Sequence, residues 1–518
     1  MKNIKYPTII LASSLFAASA MAESLQSVEA GGKWSEASTW VTAPTAQSTK
    51  DNPVNPLTLG AGTVYVDRDE YVNAFAFTGS SASLSIDSGK VLNLVCPKSS
   101  GTAPVIAAGK TLTIAGDGKI QLSAGNPFYT AGTLYLDAEL QSSYTGEMQF
   151  SVTGSGKVYI TKNFNTNQNP TSAWVGFIGA GNNNGGYYIY ANANIDRWNA
   201  HSGGTNEVGS LAKPNVTLNV RRDVYFRGGS TFTVRGTMNT WLSNSINTKY
   251  GWFGGDAMFI GTVINKDNAE KHANNAKSHF IVEKGATLNV GTASYASTAN
   301  GKGIALAGQL TVRGDVNVAH HLRAFNQAVI NLEGGKITAK SIIICNYTGN
   351  SDTGTTSYVY QNMETNVKFN VKESTVIDDL LLFDSVTKNA TNGSSNSQRL
   401  SGITGTETFS TILTIDFANL SQGSTLTIKT LEGLLDSTLV GGTVDRYIKL
   451  ANYVDGALKI GTKLDVDEEG YVYGIYGSDG EMFYQLADGT ITAIPEPATY
   501  AGILGALAIA FAFMRRRK

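Results

Sequence analysis

The sequence predicts an all-β chain wound as a β-solenoid of the right-handed parallel β-helix type. Three observations lead there. A short unit, a glycine-centred turn followed by four or five residues alternating apolar and polar, recurs from Ser83 to Ile428. Gly accounts for 56 of 518 residues, Ser, Thr and Asn are abundant, and only 16% of residues are charged, which suits short strands joined by tight turns. No segment between residues 23 and 490 sustains a helical period. Tandem antiparallel β-sandwiches are the alternative that uses the same local signals.

The chain opens with a leader. Lys2 and Lys5 are followed by an apolar run from Pro7 to Ala18, and Ala20-Met21-Ala22 fits a small-x-small cleavage site with Glu23 next. Residues 1–22 are therefore expected to be a signal peptide removed by signal peptidase. Gly31-Gly32-Lys33-Trp34-Ser35 with Thr39-Trp40 then resembles the opening of autotransporter-like bacterial surface proteins, in which such a motif precedes the first rungs. No C-terminal transmembrane barrel pattern follows it.

The recurring unit appears as Ser83–Ile86, Val91–Leu94, Gly109–Ile114, Gly118–Leu122, Gly132–Leu136 and Gly156–Ile160. It returns as Gly285–Val290, Gly308–Val312, Gly335–Ala339 and Gly423–Ile428. One such rung cannot bury its apolar face alone; stacked rungs share a continuous core. The spacing is irregular, roughly 20 residues per rung with insertions. Loop-rich insertions are expected near 161–280, rich in Asn, Gly and aromatics, and near 346–405, rich in Ser, Thr, Asn and Gly. The solenoid is assigned to 23–440, and 441–490 reads as a β-hairpin cap.

Residues 491–518 have a different character. Pro495-Glu496-Pro497 precedes an uncharged run, Ala498 to Met514, and Arg515, Arg516, Arg517 and Lys518 end the chain. Seventeen helical residues reach about 25 Å, near the lower limit for spanning a bilayer, and terminal cations resist translocation. The motif, the apolar run and the basic cluster together resemble the PEP-CTERM sorting signal of Gram-negative bacteria. That resemblance implies an exosortase-like sorting enzyme as partner, contact with membrane lipid through a helix over 498–514, and a final place at the cell surface, outer membrane or extracellular matrix.

Charge restricts the partners. The leader holds two Lys and the tail four cations and Glu496, so the stretch between them carries 34 cations against 40 anions, a net charge of about −6. Nucleic acid is not expected, because phosphate recognition needs a basic surface. Cys96 and Cys345 are the only cysteines, far apart, and read as two separate buried thiols rather than a metal cluster.

Candidate chemistry is sparse. Asp465-Val466-Asp467-Glu468-Glu469-Gly470 begins like a calcium loop, but Tyr476 stands where the bidentate acid belongs, so an acidic turn is expected. His320 and His321 with Arg313, Asp315 and Arg323 form the one dense polar cluster, and neighbours on a strand point to opposite faces. His201, His272 and His279 lack ligand spacing. Gly179-Ala180-Gly181 has no helix after it and reads as a loop. Trp174, Trp198, Trp241 and Trp252 are candidate glycan contacts, against the usual role of Trp in packing. No catalytic residue, metal or cofactor is expected. The sequence points to an adhesive, glycan-associated or structural surface protein, with a polysaccharide lyase or hydrolase on a β-helix as the alternative.

Overall fold

A computed structural model describes residues 23–95, 106–122, 128–142, 147–165, 174–179, 185–195, 197–200, 203–220, 224–226, 228–240, 258–261, 277–291, 303–345, 347–349, 358–360, 364–383, 407–434, 437–439 and 442–493. Ala20 and Ala22 of the expected leader, Pro495-Glu496-Pro497, the 498–514 run and the Arg515 to Lys518 cluster lie outside the described residues. So do Trp241, Trp252, Cys96, His201 and His272.

The described chain is all-β, with parallel strand pairing that fits a β-solenoid. Three ladders run along it. The first passes from Gly32–Lys33 and Thr63–Val66 to Ile475–Gly477. The second passes from Glu70–Val72 to Leu458–Ile460. The third runs from Phe128–Thr130 to residues 430–432. A separate parallel sheet of Leu25–Gln26, Leu57–Leu59 and Phe75–Phe77 precedes it in the earliest rungs. Because these pairings are parallel, antiparallel sandwiches are ruled out for this region. Among the described residues the one helical turn is Ala37–Thr39, and no helix is long and apolar enough to cross a membrane.

One rung shows the logic. Gln309–Val312 lies in the first ladder; Asp315–Ala324 then supplies both the second and third, with a register shift between Val318 and His321 where it turns the corner. The next rung begins at Val329–Leu332. Leu310, Val312, Val316, Val318, Leu322 and Ala324 point inward and are buried, while the alternate residues face out. Each rung adds the same apolar set to one core, and burying a Leu, Ile or Val stabilises by about 1.5–3 kcal/mol relative to leaving it exposed.

Corners differ in a systematic way. Every connection from the first to the second ladder lies within the described residues. The long connections, such as 241–257, 262–276, 292–302 and 384–406, all adjoin the third ladder. The first two ladders and the edge between them are thus joined by described residues throughout.

Both ends are closed by other means. Trp34 and Trp40 are buried over the first rung, edge to face with centroids 5.0 Å apart, and Trp40 Nε1 donates to the Trp34 carbonyl at 2.9 Å. Glu23, expected as the first mature residue, accepts from the Thr45 backbone N–H at 3.0 Å. At the other end the expected cap boundary shifts. Gly442–Ala451 pairs parallel with Glu407–Asp416, so the solenoid continues past 440. Antiparallel closure comes later, through the Val466–Val472 and Tyr476–Met482 bridges and the Tyr484–Gln485/Ile491–Thr492 hairpin. The 161–280 stretch is also corrected: it carries complete ladder strands, including Gly186–Ile189, Thr205–Val208, Thr217–Val220 and Thr231–Val234.

Candidate functional site

The outward positions of the first two ladders hold the chemistry. In the first ladder Tyr135, Tyr159 and Tyr188 occupy the same position in three successive rungs. Their rings stack at 4.7 and 4.5 Å between centroids, each pair 14° from parallel. Strand spacing of about 4.8 Å brings identical side chains into stacking distance, so the backbone builds the column. The rings cover one another, and the rim and hydroxyls are what face water; Tyr135, at the end of the stack, is 37% exposed.

Glu207 follows Tyr188 in register. Its carboxylate accepts from the Tyr190 hydroxyl at 2.8 Å and pairs with Arg235 at 3.1 Å. Burial pushes the Tyr159 phenol up to about 12, helped by Tyr188, Tyr135 and Glu207. Burial and the bond to Glu207 raise Tyr190 too, and burial raises Tyr188. These hydroxyls stay protonated and able to donate across the neutral range.

The second ladder carries an amide column. Asn93, Gln121, Gln141, Asn165, Asn194, Asn219, Asn239, Asn289 and Asn317 stand in register in nine successive rungs. From Asn219 to Asn317 each Nδ2 donates to the Oδ1 of the preceding Asn, beginning with Asn194 as acceptor, at 2.7, 2.8, 2.7 and 2.9 Å. The link from Asn239 to Asn289 closes across 50 residues of chain, so the ladder position, not sequence spacing, sets the contact. Thr217, Thr237 and Thr287 form a parallel column two residues away.

Elsewhere the polar groups serve the scaffold. Arg313 donates to Glu333 at 2.7 Å and to Glu283 at 3.0 Å, tying three rungs together. His279 and Thr311 meet at 2.7 Å, and burial lowers the histidine pKa. His320 and His321 are both half-buried, 6.2 Å apart at the ring centroids, because the strand irregularity at this corner breaks the alternation. His321 Nδ1 meets Ser341 Oγ at 2.6 Å; burial, then Arg323, Lys340 and His320, push its pKa down to about 4.

The tryptophan candidates separate. Trp198 is fully buried against Phe232 and Phe226, with centroids 4.8 and 6.3 Å away, so it cannot stack on a sugar. Trp174 begins the strand Trp174–Gly179. The acidic segment is a hairpin turn: Asp467 Oδ1 accepts from the Glu469 and Tyr471 backbone N–H groups at 3.0 and 2.9 Å, so its carboxylate closes the turn. No cluster of three metal-ligating side chains occurs among the described residues. Cys345 is buried, its Sγ 3.6 Å from the Ile343 carbonyl. A cavity of about 160 Å³ near the C-terminal end is lined by Leu431, Glu432, Lys463, Asp465 and Tyr473 among others, and its charges are mixed.

The tyrosine and amide columns were not singled out from sequence. Their signal was there as Tyr at the third strand position in Leu134-Tyr135-Leu136 and Val158-Tyr159-Ile160, and as Thr-x-Asn in 217–219, 237–239 and 287–289. No protein-family model matches the chain, and no curated protein or solved structure does.

Proposed function

We propose that this is an exported surface or matrix protein whose solenoid associates with polysaccharide and also serves as a stiff spacer. The observation that carries it is the outward side of the first two ladders, where phenol, hydroxyl and amide groups repeat in register over successive rungs. Sugars are recognised by such groups in fixed geometry, and a parallel stack holds them fixed without ordering costs at binding. In this reading the winding is right-handed, as parallel connections almost always are. Residues 1–22 direct export, and a helix over 498–514 holds the chain in the membrane while a sorting enzyme reads Pro495-Glu496-Pro497.

The binding reading is preferred to a lyase because its groups repeat in register along the ladders, whereas His321 is half-buried and held by Ser341 Oγ at 2.6 Å. One assay separates the two. The protein is passed over a panel of neutral and acidic polysaccharides, and both retention and polymer length are measured. Retention without shortening supports association; shortening would overturn it in favour of an enzyme. Sorting has its own test: replacing Pro495, Glu496 and Pro497 by Ala should redistribute the protein between membrane, surface and medium, and unchanged fractionation would defeat that part.

A further inference from the structure

The amide column of the second ladder has capacity left over once its internal bonds are made. A primary amide has two N–H donors and two carbonyl lone pairs. The Asn194 to Asn317 ladder uses one donor and one lone pair of each internal member. These side chains are half-buried, on the outward side of strands whose alternate residues, such as Leu218, Val220, Leu288 and Val290, fill the core. Each internal amide thus keeps a second N–H and a second lone pair, once per rung, on the outward side of the ladder. The Thr217, Thr237 and Thr287 hydroxyls run beside them at the same interval.

Charge and periodicity narrow the ligand. Thr217–Val220, Thr237–Thr240 and Thr287–Val290 contain no ionisable side chain, so the strip is uncharged over these rungs; charge enters beyond them, at Asp315, in register with Thr287, and at the paired Lys119 and Glu139. An acidic polymer or a nucleic acid would find no cation on the uncharged rungs. A protein partner would find little apolar area to cover. What matches is a neutral chain that presents a donor and an acceptor at each repeat. Neighbouring rungs lie about 4.8 Å apart, close to the length of one sugar in an extended β-linked polysaccharide, and the five rungs from Asn194 to Asn317 span about 19 Å.

We propose that the outward Thr/Asn face of the second ladder binds a neutral, extended polysaccharide along the solenoid axis, about one sugar to a rung. This rests on the polysaccharide-associated reading above and gives it a face, a direction and a ligand charge. Binding through many equal weak contacts makes affinity grow with oligomer length until the array is covered.

The test uses the full chain, a size series of neutral β-linked gluco-oligosaccharides, and an acidic polyuronate for comparison. Two variants are made: the triple Thr217→Val, Thr237→Val, Thr287→Val, which keeps side-chain shape and strand preference, and Asn239→Asp, which places a charge in the strip. Thermal unfolding checks that both remain folded. The expected result is wild-type affinity that rises with oligomer length for the neutral series, and a loss of about tenfold or more in the triple variant at little-changed Tm. Asn239→Asp should weaken the neutral series as well. Wild-type binding that both folded variants retain in full would overturn this face while leaving polysaccharide association standing. Preference for the polyuronate would overturn the neutral ligand. Binding to neither polymer would overturn the face and the broader reading together.

Discussion

His321 shows how a single half-buried group is expected to make the solenoid sensitive to acid. Its pKa falls from 6.5 to about 4, first through burial and then through Arg323, Lys340 and His320. As pH drops, the unfolded chain takes up this proton before the folded one does. The stability tied to neutral His321 is full above about pH 6.5 and is lost as pH falls toward 4. His279, lowered in the same direction by burial, adds to the slope. His321→Gln should therefore flatten the pH dependence of Tm between 6.5 and 4, and an unchanged slope would contradict the assignment. Arg446 makes an opposite case. It occupies an inward position of the first ladder, 6% exposed, where the two preceding rungs carry Thr411 and Thr365. Its Nη2 is buried and has no hydrogen-bond partner. Burying a donor without a partner costs stability, so Arg446→Met should raise it by ~1–3 kcal/mol in chemical denaturation. A destabilised Arg446→Met would show that the guanidinium has a use in the folded chain.

At the scale of strands and corners, the turns are as specific as the core. Thr111–Leu122 serves two ladders and bends at Gly116, where φ is +119°. A Cβ there would lie 2.2 Å from the Ile86 carbonyl oxygen, which is backbone of the neighbouring rung and has little room to move. Gly116→Ala should therefore cost about 1–3 kcal/mol, from the φ strain alone and more from the clash, read as a lower denaturation midpoint. Such corners were legible because glycine marks them, and the strands after them alternate cleanly, as in Lys157–Ile160 or Thr287–Val290. The third ladder was not. Val224–Phe226, Met258–Ile260 and Ile304–Leu306 are three residues long and buried on both faces, so they show no alternation. Their outward side chains Tyr225, Phe259 and Ala305 belong to a second apolar cluster with Phe325 and Cys345. The candidate site was hidden for a related reason. A stacked tyrosine or amide column is a relation between residues 20 to 50 apart, and only register reveals it. Tryptophan was the more visible residue in the sequence, and Trp198 went to the core because its large apolar area is worth more there.

A parallel stack leaves open strand edges at its two ends, and such edges invite another chain to pair. Here both are occupied. Trp34 and Trp40 close the first rung, and Ser27 meets Trp40 through an antiparallel bridge. At the far end the second ladder stops at Leu458–Ile460, and Lys459 is met by Thr490 in an antiparallel bridge. Gln485 Nε2 donates to the Ile460 and Thr462 carbonyls at 2.8 and 2.7 Å, and the Ile460 N–H reaches the Gly489 carbonyl at 2.8 Å. Ile491 and Phe483 complete the cover, both buried against the core. This closure turns the ladder direction from parallel to antiparallel, so no further rung can add in register. Removing residues 462–518 should expose the edge of 458–460 and the apolar floor beneath it. The truncated protein is expected to associate end to end, giving a concentration-dependent rise in mass by light scattering. The full-length chain and a variant cut only at 494 should not show it, which separates the cap from the tail. A truncated chain that stays folded by circular dichroism and monomeric at every concentration would mean that the last rung protects itself.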